Sequence, residues 1–402
     1  MLLLRPRFLG QELTMSLDIG LLPPEISLAP ASHAENRVDS ESALLEQLAF
    51  QHGQVYDSYL ACEPERQHFW SADRSGVITY VRIGGHLKVG GGLLAAQIDR
   101  PQLLDEFLEF VSQNHKSAVF FNITDTDLPL FQERGIQVTK WGEDAIIYLT
   151  RWTCQGKAYE WLRRQRNYCT RHKVRCVEWH PHQCSPDEWQ ATREVLVSIN
   201  ADSLQFKPQS REMRFFQGHL DFNNLGRKRI FLARSEDGQG RIEAFVVANP
   251  YQSGTAWSYE IFRHRQDALR GVVPHLELAV IDLLKAEGVE QVSLCLIPGL
   301  NCQPVRSGDS GLVRRCLNWT ARHLNFIYDC AGLYHHKSRF RPQLESRYVC
   351  AYPRVSAMTF LTTVHLTGLL RVCPVKVVKL MWCHMMNKSR STLPKVSGPH
   401  AK

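Results

Sequence analysis

Apolar positions recur along the chain with two periods. Over 41–60, Leu44, Leu45, Leu48 and Tyr56 return about every 3.6 residues, which predicts a helix. From Gly76 the alternation of Val-Ile-Thr-Tyr-Val-Arg-Ile predicts a strand ending at the Gly84-Gly85 turn, with His86-Leu-Lys-Val as its hairpin partner. A helix follows over 101–114, then a buried strand at Ala118–Asn122, a short helix over 127–134 and a strand at Ala145–Leu149. The second half repeats this order. Helices are predicted over 186–199 and 211–220, and strands over Arg229–Arg234, Ile242–Ala248 and Thr255–Ile261. A helix over 272–287, a strand at 291–296, a helix near 310–322 and a closing strand at 348–352 complete it. Each half is an antiparallel meander followed by a helix that crosses to a further strand. A duplication follows from element order alone, since no residue-level repeat is visible.

Between the halves, 157–175 carries Lys157, Arg163, Arg164, Arg166, Arg171, Lys173 and Arg175 against a single acid, Glu160. Ala158, Trp161, Leu162 and Cys169 form an apolar stripe at helical spacing, and Arg164, Arg171 and Arg175 fall together on another face. Arginine forks match phosphate oxygens, so this basic helix suits either solvent or a phosphate-bearing ligand.

The 402-residue chain is 44% apolar and 22% charged, a globular balance. Its net charge of +8 sits at one end. From Arg354 onward there are eight Lys or Arg and no Asp or Glu; the remaining 40 of the 48 basic residues match the 40 acidic ones. Residues 355–370 are uncharged but too short for a bilayer span, and 371–402 mixes basic and apolar residues with Trp382. This tail suits an anchor at an anionic lipid surface or a last packed helix with a basic end. Residues 1–40 show no periodicity and read as a leader without a signal-peptide core. Twelve cysteines without a C-x-x-C pair indicate reduced thiols in the cytoplasm, with the tail allowing peripheral attachment to the inner face of the membrane. Cys169, His172, Cys176, His180, His182 and Cys184 have the right ligand types for zinc but not its spacing, so no metal is expected. Motifs for nucleotide hydrolysis, serine hydrolysis and zincin chemistry are absent.

Four segments together carry a resemblance. They are Lys140-Trp-Gly-Glu-Asp-Ala-Ile-Ile, the helix Leu162-Arg-Arg-Gln-Arg-Asn-Tyr-Cys-Thr-Arg, the run Ser258-Tyr-Glu-Ile-Phe-Arg263 to Gly271 and Ser293–Pro298, and Lys337-Ser-Arg-Phe-Arg-Pro342 with Arg347-Tyr348. In this order they resemble the C-terminal family of lysyl-phosphatidylglycerol synthases over about 45–353. The resemblance implies an α/β fold of tandem GNAT-like acyltransferase domains. The expected domains are 41–155 and 179–355, joined by a basic helix at 156–178 and followed by a tail from 356. It implies aminoacyl-tRNA as donor and a phosphatidylglycerol-like lipid hydroxyl as acceptor, without a further cofactor. On this resemblance Glu260 binds the donor amine or acts as base, Arg263 orients it or binds phosphate, and Lys337, Arg339 and Arg347 neutralise phosphate or an oxyanion. Arg166, Asn167 and Arg171 would bind tRNA or lipid phosphate, and Glu143 would brace the connecting helix. The chain departs from the family at Gly90-Gly91-Gly92 (Gly-Asp-Pro in the family), Pro274 (an acid), Cys295 (a glycine), Arg339 (a lysine) and Leu344 (a tryptophan). Two alternatives stand beside this reading. One is an acyl-CoA-dependent N-acyltransferase with pyrophosphate on the backbone at Arg270-Gly271; the other is an inactive binding protein. The transferase reading requires Glu260 and the 337–347 cations to line a common cavity beside the basic helix.

Overall fold

A computed structural model describes residues 31–205, 212–236, 240–303, 308–315, 317 and 330–366. The leader at 1–30, the tail at 371–402 and the second part of the helix expected near 310–322 lie outside these residues, as does the start of the helix expected at 211–220; 311–315 is helical as expected. Within them the chain forms α1 (Ala31–His52), β1 (Gln67–Trp70), β2 (Val77–Ile83), β3 (His86–Val89), α2 (Arg100–Asn114), β4 (Ser117–Ile123), α3 (Leu128–Glu133) and β5 (Gln137–Tyr148). There follow α4 (Glu160–Arg171), β6 (Val174–Trp179), α5 (Pro186–Gln205), α6 (Arg214–Gln217), β7 (Arg229–Ser235), β8 (Ile242–Tyr251) and β9 (Ala256–His264). The chain closes with α7 (Val272–Ala286), β10 (Gln291–Pro298), α8 (Cys330–Ser338), β11 (Gln343–Tyr352) and α9 (Ala357–Leu366).

All eleven strands form one sheet in the order β1-β2-β3-β4-β11-β5-β10-β9-β8-β7-β6. The expected duplication is visible in its pairing. In each half a run of antiparallel strands, β1–β3 in the first and β6–β9 in the second, ends on a parallel neighbour, β3 beside β4 and β9 beside β10. The last strand of each half is exchanged: β5 pairs with β10, and β11 lies between β4 and β5. The fold is the expected mixed α/β one of two GNAT-like units, but the two units share strands, so a boundary at 155 does not separate two sheets.

The apolar runs are continuous where strands are covered on both faces. Along β4 all seven residues are buried. Ala118 and Phe120 face α2 with Leu104 and Phe107, while Val119 and Phe121 face Phe215 and Val349. On β8, Ala244, Val246 and Ala248 pack with Leu276 and Val280 of α7, and Phe245 and Val247 pack with Leu196 and Ile199 of α5.

Several expectations need correction. The helix expected at 41–60 begins at Ala31, inside the expected leader, and stops at His52. Gly53 closes its last turn onto the Ala49 carbonyl, and a short 3-10 turn at Ser58–Cys62 follows. The basic connector is α-helical only over 160–171, after a 3-10 turn at Lys157–Tyr159; 174–179 is already an edge strand, β6, on which Val174 and Trp179 are buried. Only 214–217 is helical in the described part of 211–220. The short strand β1 and the helix α8 were not read from the sequence.

Candidate functional site

The site arises where strands part. The β9–β10 ladder holds only from Ala256–Gln291 to Ser258–Ser293. Beyond it β10 leaves β9 but stays paired with β5, across a register break between Ser293 and Leu296. The turn is made at Cys295, whose φ is +67°. Left-handed backbone favours glycine, which is the residue the family resemblance places there. Here the thiol reaches the Tyr259 carbonyl across the gap at 3.2 Å.

Glu260 follows Tyr259 on β9, at a shift in the β8–β9 register. Its side chain is 3% exposed, and neither carboxylate oxygen has a well-formed hydrogen bond. The segment 218–228 covers it: a side chain at Gly218 (φ +60°) would collide with this carboxylate. Lys228 Nζ stands 3.8 Å from Glu260 and 2.7 Å from Glu63. Glu63 also takes the ring of His219. Burial pushes Glu260 up to about 7; the Lys228 charge resists this and Glu63 adds to it. The nearby Asn249 amide favours its charged form, although both amide atoms lack a well-formed partner. Burial opposes the charge on Lys228, but Glu260 and Glu63 hold its amine above the usual lysine range. Burial also opposes the charge on Glu63, yet His219 and Lys228 keep its carboxyl below the usual value.

Arg347, on β11, is 3% exposed and pairs with the fully buried Asp144 of β5 at 2.9 Å. Ser293 Oγ donates to the other oxygen of Asp144 at 2.5 Å. The Arg347 Nε and the Tyr251 hydroxyl are unpartnered and buried. Charge on Asp144 and Arg347 acts on Tyr251, so all three share one region. Lys337 is buried too, but its amine donates to the carbonyls of Cys295 (2.8 Å) and Leu296 (3.1 Å). It therefore props the backbone of the turn. The Cys295 thiol ties the groups together. Burial pushes it up to about 12, and it lies within electrostatic reach of Lys337, Asp144, Glu260 and Asp57.

Asp57 reaches this region from the other half. Ser258 Oγ donates to the Tyr56 carbonyl at 2.9 Å, which holds the 55–58 loop on β9. Asn122 of β4, at φ +61°, donates to Asp57 Oδ2 at 2.8 Å. Asp57 Oδ1 has no partner, and burial raises its carboxyl. The Gly90-Gly91-Gly92 turn lies on this loop, where the Gly91 carbonyl accepts from Ser58 Oγ at 2.9 Å.

Glu260, Lys337 and the Arg347–Asp144 pair thus surround one turn of β10. Of the other candidates, Arg263 lies within electrostatic reach of Glu260, and the rest lie elsewhere. Arg263 is turned to α5, donating to Asn200 Oδ1 at 2.9 Å, and burial lowers its guanidinium. Arg166 pairs with Asp282 of α7 at 2.8 Å. Asn167 and Arg171 are exposed, the latter donating to the Asn167 carbonyl at 3.2 Å. Arg339 lies over the Trp161 ring at 5.5 Å and meets His335 at 3.0 Å. Glu143 pairs with Lys140 on its own strand and does not brace α4. Gly271 caps α7 in the left-handed region, and Gln165 of α4 lies directly on it. The connector arginines therefore do not join the Glu260 group.

Lys228, Glu63, Asp57, Asn249 and Tyr251 were not singled out from sequence. They come from three separate segments, at 57–63, at 228 and at 249–251, and none carries a local spacing signal. The Cys–His cluster of 169–184 is dispersed: Cys169 donates to the Arg270 carbonyl at 3.7 Å and His172 contacts the Tyr168 carbonyl at 2.8 Å. Among the described residues one set of potential metal ligands converges, Glu63, Glu65 and His219. Two of these three are already engaged with each other, and Lys228 places a cation on Glu63.

Comparison with known proteins matches residues 45–351 to the family model of the phosphatidylglycerol lysyltransferase C-terminal region. Phosphatidylglycerol lysyltransferase of Bacillus subtilis (strain 168) is 26% identical over 310 residues, covering 76% of this chain and 35% of that protein. The Staphylococcus aureus (strain MRSA252) protein of the same name is 23% identical, with 78% and 36% covered. The chain spans about a third of the length of these relatives. The structure of L-PGS from Bacillus licheniformis superposes with a TM-score of 0.66 at 22% identity, covering 86% of this chain and 99% of that one. The C-terminal domain of an Agrobacterium fabrum protein assigned as a lysylphosphatidylglycerol synthetase gives 0.67 at 18% identity, covering 83% and 96%. These two likenesses show the fold. The family match extends over more than half of the sequence, and the chain belongs to the phosphatidylglycerol lysyltransferase C-terminal family.

Proposed function

We propose that the chain transfers an amino acid from aminoacyl-tRNA to a hydroxyl of a phosphatidylglycerol-like lipid, with Glu260 as the base. The observation that carries this reading is a buried carboxylate with no well-formed hydrogen bond, raised to about 7, at the point where β9 and β10 part. A base with that affinity takes a proton near neutral pH and returns it. The ester donor is already activated, so the protein needs to hold ester and hydroxyl together. The lipid hydroxyl attacks the ester carbonyl as its proton passes to Glu260. The tetrahedral intermediate then collapses, and the tRNA ribose oxygen leaves with that proton. The unpartnered Tyr251 hydroxyl and Arg347 Nε are donors available to the transient oxyanion. Exposed Arg164, Arg171 and Lys173 around α4 would carry the tRNA backbone.

Two observations favour this over the alternatives. At the start of α7, where an acyl-CoA pyrophosphate would rest, the Gln165 side chain stands against Gly271. Several buried polar atoms without partners in one region fit a working ligand site, because such atoms cost stability when left unused. The test is to incubate the full chain with tRNAs charged with labelled amino acids and vesicles containing phosphatidylglycerol. Label should enter the lipid phase and vanish when the tRNA is digested beforehand. Label transferred only from an acyl-CoA would overturn the reading.

A further inference from the structure

Along β10 the residues from Gln291 to Ile297 are buried except Cys295, and along β9 those from Ala256 to Ile261 are buried except Glu260. These two partly open positions stand where the β9–β10 ladder has ended, so the parting of the strands is open beside the candidate base. At Glu260 the open part is the main chain, since its side chain is covered. Cys295 lies across the opening. Its thiol reaches from β10 to the Tyr259 carbonyl of β9 at 3.2 Å. Its N–H donates to Ser293 Oγ at 2.9 Å, and its carbonyl accepts from Lys337 at 2.8 Å. Side chain and main chain are thus each tied to a different neighbour, and Cβ and Sγ stand as a fixed wall in the gap.

The wall stands on strained backbone. At φ +67° any Cβ is unfavourable and glycine is not. Such strain persists where the surroundings over-determine it, as Ser293, Lys337 and Tyr259 do here. The thiol adds nothing as a reagent: burial pushes it up to about 12, so it is neutral at working pH and no nucleophile. What cysteine supplies here and glycine would not is the bulk of Cβ and Sγ. On the reading above, which this inference rests on, the donor's ester carbonyl lies at Glu260. The α-carbon of the amino acid is bonded to that carbonyl, so its side chain starts beside this gap. We propose that Cys295 limits the size of the aminoacyl side chain that the site accepts, and that the donor carries a small one of alanine's class.

The test is binding of two amide-linked donor analogues, alanyl-adenosine and lysyl-adenosine, to the full chain by calorimetry, which needs no turnover. Two variants are compared with wild type, and thermal unfolding checks their fold. Cys295→Gly suits the backbone and empties the gap; Cys295→Ala keeps the strain and removes only Sγ. Wild type should bind the alanyl analogue more tightly. Cys295→Gly should shift the ratio of the two affinities toward the lysyl analogue by about tenfold or more, with Cys295→Ala in between. A purely structural thiol would change the melting temperature and leave that ratio alone. A wild type that prefers the lysyl analogue or binds neither, or a ratio that does not move in Cys295→Gly, overturns the proposal. Transfer from charged tRNA is scored separately. A shifted ratio without transfer to lipid would keep the size limit and reject the transferase reading; transfer with an unmoved ratio would do the reverse.

Discussion

Glu260 illustrates how a neighbour tunes a buried acid. Lys228 sits 3.8 Å away and is the main influence lowering its pKa. Replacing Lys228 with Met should therefore raise Glu260 further and move the rising limb of the transfer rate upward by about one pH unit or more. Lys228→Arg should restore the position, which separates tuning from loss of fold. A midpoint that stays put in Lys228→Met would show that the two groups are not coupled. Lys337 shows what a motif leaves open. Its place in the Lys-x-Arg-Phe-x-Pro run brings it near the site, but the sequence does not show that its amine is taken by two backbone carbonyls of the Cys295 turn. Glu63 and Lys228 were invisible for another reason. An ion pair between residues 165 positions apart leaves no periodic trace.

At the scale of elements, α4 was legible as a helix because Leu162 and Cys169 recur on one stripe, and both are buried. Its partner was not legible. The stripe says that the helix has an inner face, whereas contact with α7 depends on Gly271 allowing Gln165 to lie against it. Gly271 has φ +85°, so an alanine there meets both left-handed strain and that side chain. Gly271→Ala should cost more than about 1 kcal/mol in denaturant unfolding. An unchanged midpoint would mean that α4 is only loosely laid on α7. The β9–β10 parting was half visible. Both strands were readable, but the length of their ladder depends on the left-handed turn at Cys295, where the amino acid itself argues against that backbone.

Across the whole molecule, the element order disclosed two similar halves, and the exchange of their last strands lay beyond it. Alternation reports which face of a strand is buried, not which strand lies beside it. The exchange has a consequence for folding. In the first half alone, β4 and β5 would have no β11 between them, and Arg347 would be missing from the buried Asp144. An isolated buried charge is strongly destabilising, by about 3–5 kcal/mol when one partner is removed. A fragment of residues 31–155 should thus fail to give a cooperative thermal transition, while the full chain gives one. A fragment that melts cooperatively would show that the halves are independent. The account as a whole rests on Glu260 working as a base with an affinity near neutrality. Its most direct test is the rate of aminoacyl transfer to phosphatidylglycerol against pH, for wild type and Glu260→Gln. Wild-type rate should climb as the carboxyl loses its proton and level off above about pH 7. Glu260→Gln should lose that limb and run about 100-fold or more slower, with its fold intact. A variant that keeps both the wild-type rate and the same pH profile would contradict the account.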